Sequence, residues 1–176
     1  KIGLVPNVRN LGDFKTRKGI FEPAKGVENK NKAVKFIRDN FSDEITEFVD
    51  LEWLNELGVL YDNNDCDKVA DYLKNEKVDA VMIINCNFGN EEVCGQVAKK
   101  MGLPVLLWGP QDMVFEENGQ RYTDAQCGLF AISKQLRRYH IPFSYIENCP
   151  ACRRAICFTL QIHDDEWMLD VRTDTE

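Results

Sequence analysis

Apolar positions along the chain recur with two different periods. Val78 to Ile84 is nearly all apolar, which predicts a parallel strand covered on both faces. Leu103 to Trp108 and Ile141 to Ile146 read the same way, and Ile2 to Pro6 predicts an opening strand. Between these runs the spacing changes to that of a helix. Val69, Ala70, Tyr72 and Leu73 form one stripe in Asp65 to Lys74. Glu91 to Met101 begins with two acids, ends with Lys99 and Lys100, and meets Gly102, matching the helix dipole and a glycine stop. Asp124 is placed to cap a helix through Tyr139, with Leu129, Ile132, Leu136 and Tyr139 along one face.

Strand and helix thus alternate in units of about 25 to 40 residues. That predicts an α/β fold: a Rossmann-like, doubly wound, mostly parallel sheet with helices on both faces. Asn7 to Asn31 is rich in Gly, Lys and Asn and contains Pro23, so it predicts a long loop. Ala33, Val34, Phe36, Ile37 and Phe41 predict a helix ending near Asn40. Ser42 or Asp43 could cap the next element, and Ile45 to Val49 predicts a strand. Beyond Ile146 the pattern is irregular: Ala155 to Leu160 fits a short helix or a strand, and 161–167 is mostly polar. The expected organisation is one α/β domain over 1–148 and a tail over 149–176, truncated or joined to another segment. Lys1 in place of Met carries the same expectation of a piece of a longer protein.

Charge and composition narrow the function. The 176 residues hold 22 Lys and Arg against 29 Asp and Glu, a net charge of −7 that argues against nucleic-acid binding. With 44% hydrophobic residues the chain can bury a core. No apolar run approaches the roughly 18 residues of a membrane span, and no leader is expected. Seven cysteines, an odd number, point to a reduced cytoplasmic chain. Cys86, Cys94 and Cys127 lie among apolar or small residues and are expected in the core.

Ligands of open parallel sheets bind beyond the C-terminal ends of the strands. Pro6 to Arg9, Asn85 to Asn90 and Gly109 to Asp112 occupy such places. Their amide, guanidinium and carboxylate groups suit a polyhydroxylated ligand better than a nucleotide, although ordinary polar loops look the same. No glycine-rich phosphate loop is present, and Glu91 and Glu92 would repel a phosphate at the helix start. Cys149 and Cys152 have redox or half-zinc spacing, and Arg153 and Arg154 beside them could lower a thiol pKa. They come after the last expected strand, however, and no second pair completes a zinc site. His163 to Glu166 reads as a solvated acidic stretch rather than a metal site, because adjacent residues rarely converge on one ion. His140 is expected to partner a helix dipole.

Four segments in order carry a resemblance: Val-Asp-Ala-Val-Met-Ile-Ile-Asn-Cys-Asn-Phe-Gly-Asn from Val78, Gly-Leu-Pro-Val-Leu-Leu-Trp-Gly from Gly102, Arg121-Tyr-Thr-Asp-Ala-Gln-Cys-Gly-Leu-Phe and Ile141-Pro-Phe-Ser-Tyr-Ile. With the opening Lys-Ile-Gly-Leu-Val-Pro, the chain over about 1–148 resembles the N-terminal domain of the L-fucose and L-arabinose isomerase superfamily. The resemblance implies a large cytoplasmic aldose–ketose isomerase using a divalent metal, typically manganese. Its Glu, Asp and His ligands come from later domains with no counterpart in this chain. The N-terminal domain is implied to make homo-oligomer contacts and to lend groups to a sugar pocket of a neighbouring subunit. In the fucose isomerase branch these are an Arg after the first strand, matched by Arg9, and an aromatic after the third. Near that second position stands Asn87, with Phe88 one residue on. The expected sugar contacts are Arg9 and Asn87 as hydrogen-bonders, Phe88 as an apolar wall, and Gln111 and Asp112 as further polar groups. No catalytic group is expected in this chain. A stand-alone sugar-binding or regulatory module, and a small redox protein using Cys149 and Cys152, are the alternatives.

Overall fold

The computed structural model describes residues 1–9, 16, 18–43, 46–110, 112, 117, 119–148, 155–163 and 166–173. Within them the strands β1 (Ile2–Asn7), β2 (Phe48–Val49), β3 (Ala80–Asn85), β4 (Val105–Trp108), β5 (Phe143–Asn148), β6 (Ala155–His163) and β7 (Glu166–Thr173) form one sheet, in the order β2-β1-β3-β4-β5-β6-β7. The first five are mutually parallel; β6 and β7 are antiparallel. β1 lies along the whole of β3, with Ile2 opposite Ala80 and Asn7 opposite Asn85.

Four helices pack on this sheet: α1 (Pro23–Phe41), α2 (Cys66–Asn75), α3 (Glu91–Met101) and α4 (Ala125–Arg138). Alternation along the strands sends successive side chains to opposite faces. Val5, Val81, Ile83, Val105, Leu107 and Phe143 meet Val69, Leu73, Val93, Val97, Ile132 and Leu136 of α2, α3 and α4. On the other face Leu4, Val8, Ile84 and Cys86 meet Ala33 and Ile37 of α1. Each fully buried aliphatic side chain contributes about 1.5–3 kcal/mol, which makes these two layers the main source of stability. The expected α/β fold with helices on both faces is what forms.

Two helices follow their sequence signals closely. Asn90 caps α3, its side chain accepting from the Glu92 N–H at 3.2 Å, and Gly102 ends it at φ 62°. Asp124 caps α4 by accepting from the Cys127 N–H at 3.4 Å. His140 adopts φ 55° and its backbone N–H bonds the Arg137 carbonyl at 3.0 Å, so it closes α4 through the main chain.

Other expectations are corrected. Much of the long loop expected over Asn7 to Asn31 is helix, because Pro23 sits in the first turn of α1, where a missing N–H costs nothing. Of the expected strand Ile45 to Val49, Phe48–Val49 is strand and Ile45 lies outside the described residues; Asp43 accepts from the Thr46 N–H at 2.6 Å. The ambiguous tail is a hairpin that extends the sheet antiparallel. Only 149–154 separate β5 from β6, whereas a parallel crossover needs about a dozen residues or more. Cys66, Cys86 and Cys94 are buried, but Cys127 is exposed, because α4 turns Gly128, Leu129 and Ile132 inward and leaves 127 outside that stripe. No helix of the described residues is long and apolar enough to cross a membrane.

Candidate functional site

The chain leaves β1 through α1 on one face to reach β2, then returns through α2 on the other face to β3. The sheet therefore changes direction between β1 and β3, the kind of switch point where open α/β sheets bind ligands. The two segments emerging there are Val8–Arg9 and Cys86–Asn90.

Buried asparagines fix both. Asn7 and Asn85 face each other across the strand ends and have no exposed surface. Asn7 donates through Nδ2 to the Leu60 carbonyl at 2.9 Å and accepts from the Asn90 N–H at 2.6 Å. Asn85 donates to the Ala125 carbonyl at 2.7 Å, tying β3 to the start of α4. Asn87, also fully buried, accepts through one Oδ1 from the N–H groups of Arg9 (2.8 Å), Phe88 (2.6 Å) and Gly89 (3.0 Å). One side chain thus holds the β1 and β3 loops together. Gly89 has φ 77°, and a Cβ there would lie 2.3 Å from both Asn7 Oδ1 and Asn85 Oδ1, so the turn accepts only glycine. The otherwise unpartnered Asn85 Oδ1 is covered by this glycine.

On that platform Arg9 is held from three sides. Its Nε donates to the Gly89 carbonyl at 2.7 Å and its Nη2 to Glu91 Oε2 at 2.5 Å. Its guanidinium carbon lies 4.6 Å from the centre of the Phe88 ring, which packs 4.9 Å from Phe21. The Arg9 side chain keeps 26% of its surface exposed. A guanidinium has five donors, and these bonds use two. The geometry is a cation on an aromatic shelf, pre-aimed and part-exposed, worth about 0.5–1 kcal/mol for the ring contact at such a site.

Further charges surround the shelf in pairs. Lys18 donates to Glu22 at 2.9 Å. That bond holds the Glu22 carboxyl below its usual range, against the burial that pushes it up and with help from the Gly19 N–H. Arg121 pairs with Asp124 at 2.6 Å, and Lys25 with Glu28 at 3.3 Å. Lys25 also sits 5.7 Å from the Tyr122 ring centre.

The structure brings two of the residues singled out from sequence, Arg9 and Phe88, into contact. Asn87 meets a different geometry from the expected hydroxyl contact: its oxygen is spent on three backbone donors beneath the surface. Asp112 also turns to the protein, accepting from the N–H of Ala125 (2.7 Å) and of Gln126 (3.4 Å) at the start of α4. Gln111 lies outside the described residues, as do Cys149, Cys152, Arg153, Arg154, Asp164 and Asp165. Sequence reasoning missed Glu91 and Phe21 as partners of the site. Glu91 shows locally only as a helix-dipole acid, 82 residues from the arginine it orients.

No group of three or more His, Cys, Asp or Glu among the described residues could hold a metal ion. The described residues therefore do not by themselves form a site for the divalent ion implied by the resemblance. Burial pushes the Cys86 thiol up to about 12 and the Cys66 thiol to about 11, which rules both out as nucleophiles near neutrality. Cys94 is pushed up by the same cause. A cavity of about 430 Å³ opens at the opposite end of the sheet, among Leu103, Pro104, Ile141, Pro142, Ser144 and Thr159. Ser144 Oγ and Thr159 Oγ1 bond each other there at 3.2 Å, so their polarity is turned inward. The converging cation, carboxylate and aromatic groups are at the switch point.

Comparison with curated proteins and with solved structures finds no match. Residues 12–164 match the family described as fucose/sulfoquinovose isomerase, N-terminal domain, so the match runs through β5 and β6. The expected kinship with fucose isomerases holds: this chain belongs to the fucose/sulfoquinovose isomerase N-terminal domain family.

Proposed function

We propose that this domain supplies a sugar-contacting arm, and subunit contacts, to an aldose–ketose isomerase, and that it does not turn over sugar by itself. The observation that carries the reading is Arg9, fixed at the switch point by Gly89, Glu91 and Phe88 while part of its guanidinium faces solvent. Arg9 donates only, so its task is to bind and orient sugar oxygens; it moves no proton at neutral pH. Phe88 and Phe21 present an apolar surface to the C–H face of the same sugar. Acid–base work on the carbons that exchange oxidation level falls to other parts of the enzyme.

Arg9→Ala in the intact isomerase tests this. A hydrogen bond from a charged donor is worth roughly 1.5–3 kcal/mol, so kcat/KM should fall about ten- to a hundredfold. The lost Glu91 pair, Gly89 bond and Phe88 ring contact are partly exposed and together worth about 1–3 kcal/mol, so the melting temperature should fall by no more than roughly 12 °C. Unchanged kinetics would return Arg9 to ordinary surface chemistry. A much larger loss of stability would make its role structural.

A further inference from the structure

Among the described residues the charges around the shelf fall in pairs, and that bears on which sugars it admits. Arg9 follows β1 at the switch point, and Glu91 already occupies one edge of its guanidinium at 2.5 Å. Around it Lys18 is paired with Glu22, Lys25 with Glu28, and Arg121 with Asp124. Asp112 adds a further carboxylate at the start of α4. Among the described residues, each cation at this end of the sheet therefore faces a carboxylate. An anionic group on a sugar gains most from ionised donors whose charge is not already offset by a carboxylate. Here a sulfonate reaching for Arg9 would meet the Glu91 carboxylate on the same guanidinium. A neutral hydroxyl needs only the N–H donors, which the pairing with Glu91 orients. The aromatic edge of Phe88 and Phe21, 4.9 Å apart, suits an unsubstituted deoxy carbon better than a charged one.

We infer that Glu91 is a specificity-determining residue that makes this site select neutral aldoses and reject sulfonated ones. The inference rests on the proposed sugar-contacting role of Arg9 and narrows its substrate class. A matched pair of probes exists in quinovose and sulfoquinovose, which differ by one sulfonate at C6. Their dissociation constants for the intact protein are measured by calorimetry, in the wild type and in Glu91→Gln. Gln keeps an oxygen for the Arg9 Nη2 while removing the charge.

The wild type should bind quinovose about two- to fivefold more tightly than sulfoquinovose, the effect expected of one part-exposed charge. Glu91→Gln should move that ratio about two- to fivefold toward sulfoquinovose. Equal or tighter binding of sulfoquinovose by the wild type overturns the inference and leaves the sugar-contacting role standing. An unchanged ratio in folded Glu91→Gln, checked by its circular dichroism, also overturns it. Binding of neither sugar by the wild type overturns the sugar-contacting role itself. Should the variant fail to fold, the wild-type ratio decides alone.

Discussion

Replacing Asn87 by Ala separates a loop-holding residue from a ligand-holding one. Asn87 has no exposed surface, and its Oδ1 accepts from the N–H groups of Arg9, Phe88 and Gly89 at 2.8, 2.6 and 3.0 Å. An alanine removes the acceptor and leaves the donors beneath the surface. A hydrogen bond contributes about 1 kcal/mol net, and a donor left buried without a partner costs about 1–3 kcal/mol. The Phe88 bond is made to the adjacent residue and contributes least. The sum comes to about 3 kcal/mol, most of it from the Arg9 and Gly89 amides. For a chain of this size that lowers the melting temperature by roughly 6–12 °C. Thermal unfolding followed by circular dichroism gives the shift, and amide exchange should accelerate at Arg9 and Gly89. Asn87→Asp keeps an acceptor and should recover part of the loss. Its second oxygen would lie where Nδ2 now faces the Phe21 carbonyl at 3.5 Å, so recovery stays incomplete. An Asn87→Ala variant that melts within about 2 °C of the wild type yet loses sugar affinity would refute the reasoning and make Asn87 a ligand contact.

A methyl at Gly128 would fall 1.9 Å from the Phe88 carbonyl oxygen and 2.2 Å from Asn85 Nδ2. Gly128→Ala gains about 1 kcal/mol of helix propensity but overpacks a backbone contact at about 1–3 kcal/mol or more, so its urea midpoint should fall; a higher midpoint would show that the loop can retreat. Alkylation of the native protein at pH 8, read by mass spectrometry, should label Cys127 and spare Cys66, Cys86 and Cys94 until urea unfolds the chain. Labelling of those three in the folded state would contradict their burial. Because the Glu22 carboxyl is depressed in the folded state, its stabilisation is present above the unfolded value near 4.3 and is lost as the pH falls below it. Glu22→Gln should therefore flatten the stability profile between roughly pH 5 and 3, and an unchanged acid limb would remove Glu22 from the account.

Where a segment declares itself by its own periodicity, the sequence was enough. β3 and α3 show this, the first as a continuous apolar run and the second through its acids, lysines and closing glycine. The start of α1 was hidden because its buried side is not apolar. Gly26, Asn29 and Lys30 face inward, satisfied by partners far along the chain: Asn29 donates to the Cys86 carbonyl at 3.0 Å, and Lys30 pairs with Glu52. Arg9 could be located because it follows a strand. The direction of Asn87 could not, because a polar loop residue looks alike whether it turns toward a ligand or toward the backbone. Only the approach of β1 to β3 decides that, and the pairing of Arg9 with Glu91 depends on the same approach.

The hairpin at the end of the sheet has a dynamic consequence. Because the chain turns back after β5 with no further crossover helix among the described residues, one face carries three helices and the other only α1. α1 covers the β1 and β3 side, while Phe36 on its flank stays half exposed beside Trp108 of β4. Local opening is easiest where strands lack cover, so water reaches the hydrogen bonds of β4 to β7 from the open face first. β1 and β3, sealed on both sides, form the last unit to open. Arg9 and Phe88, the proposed sugar contacts, follow those two strands, so the hairpin end can fray and reclose without disturbing the position of Arg9.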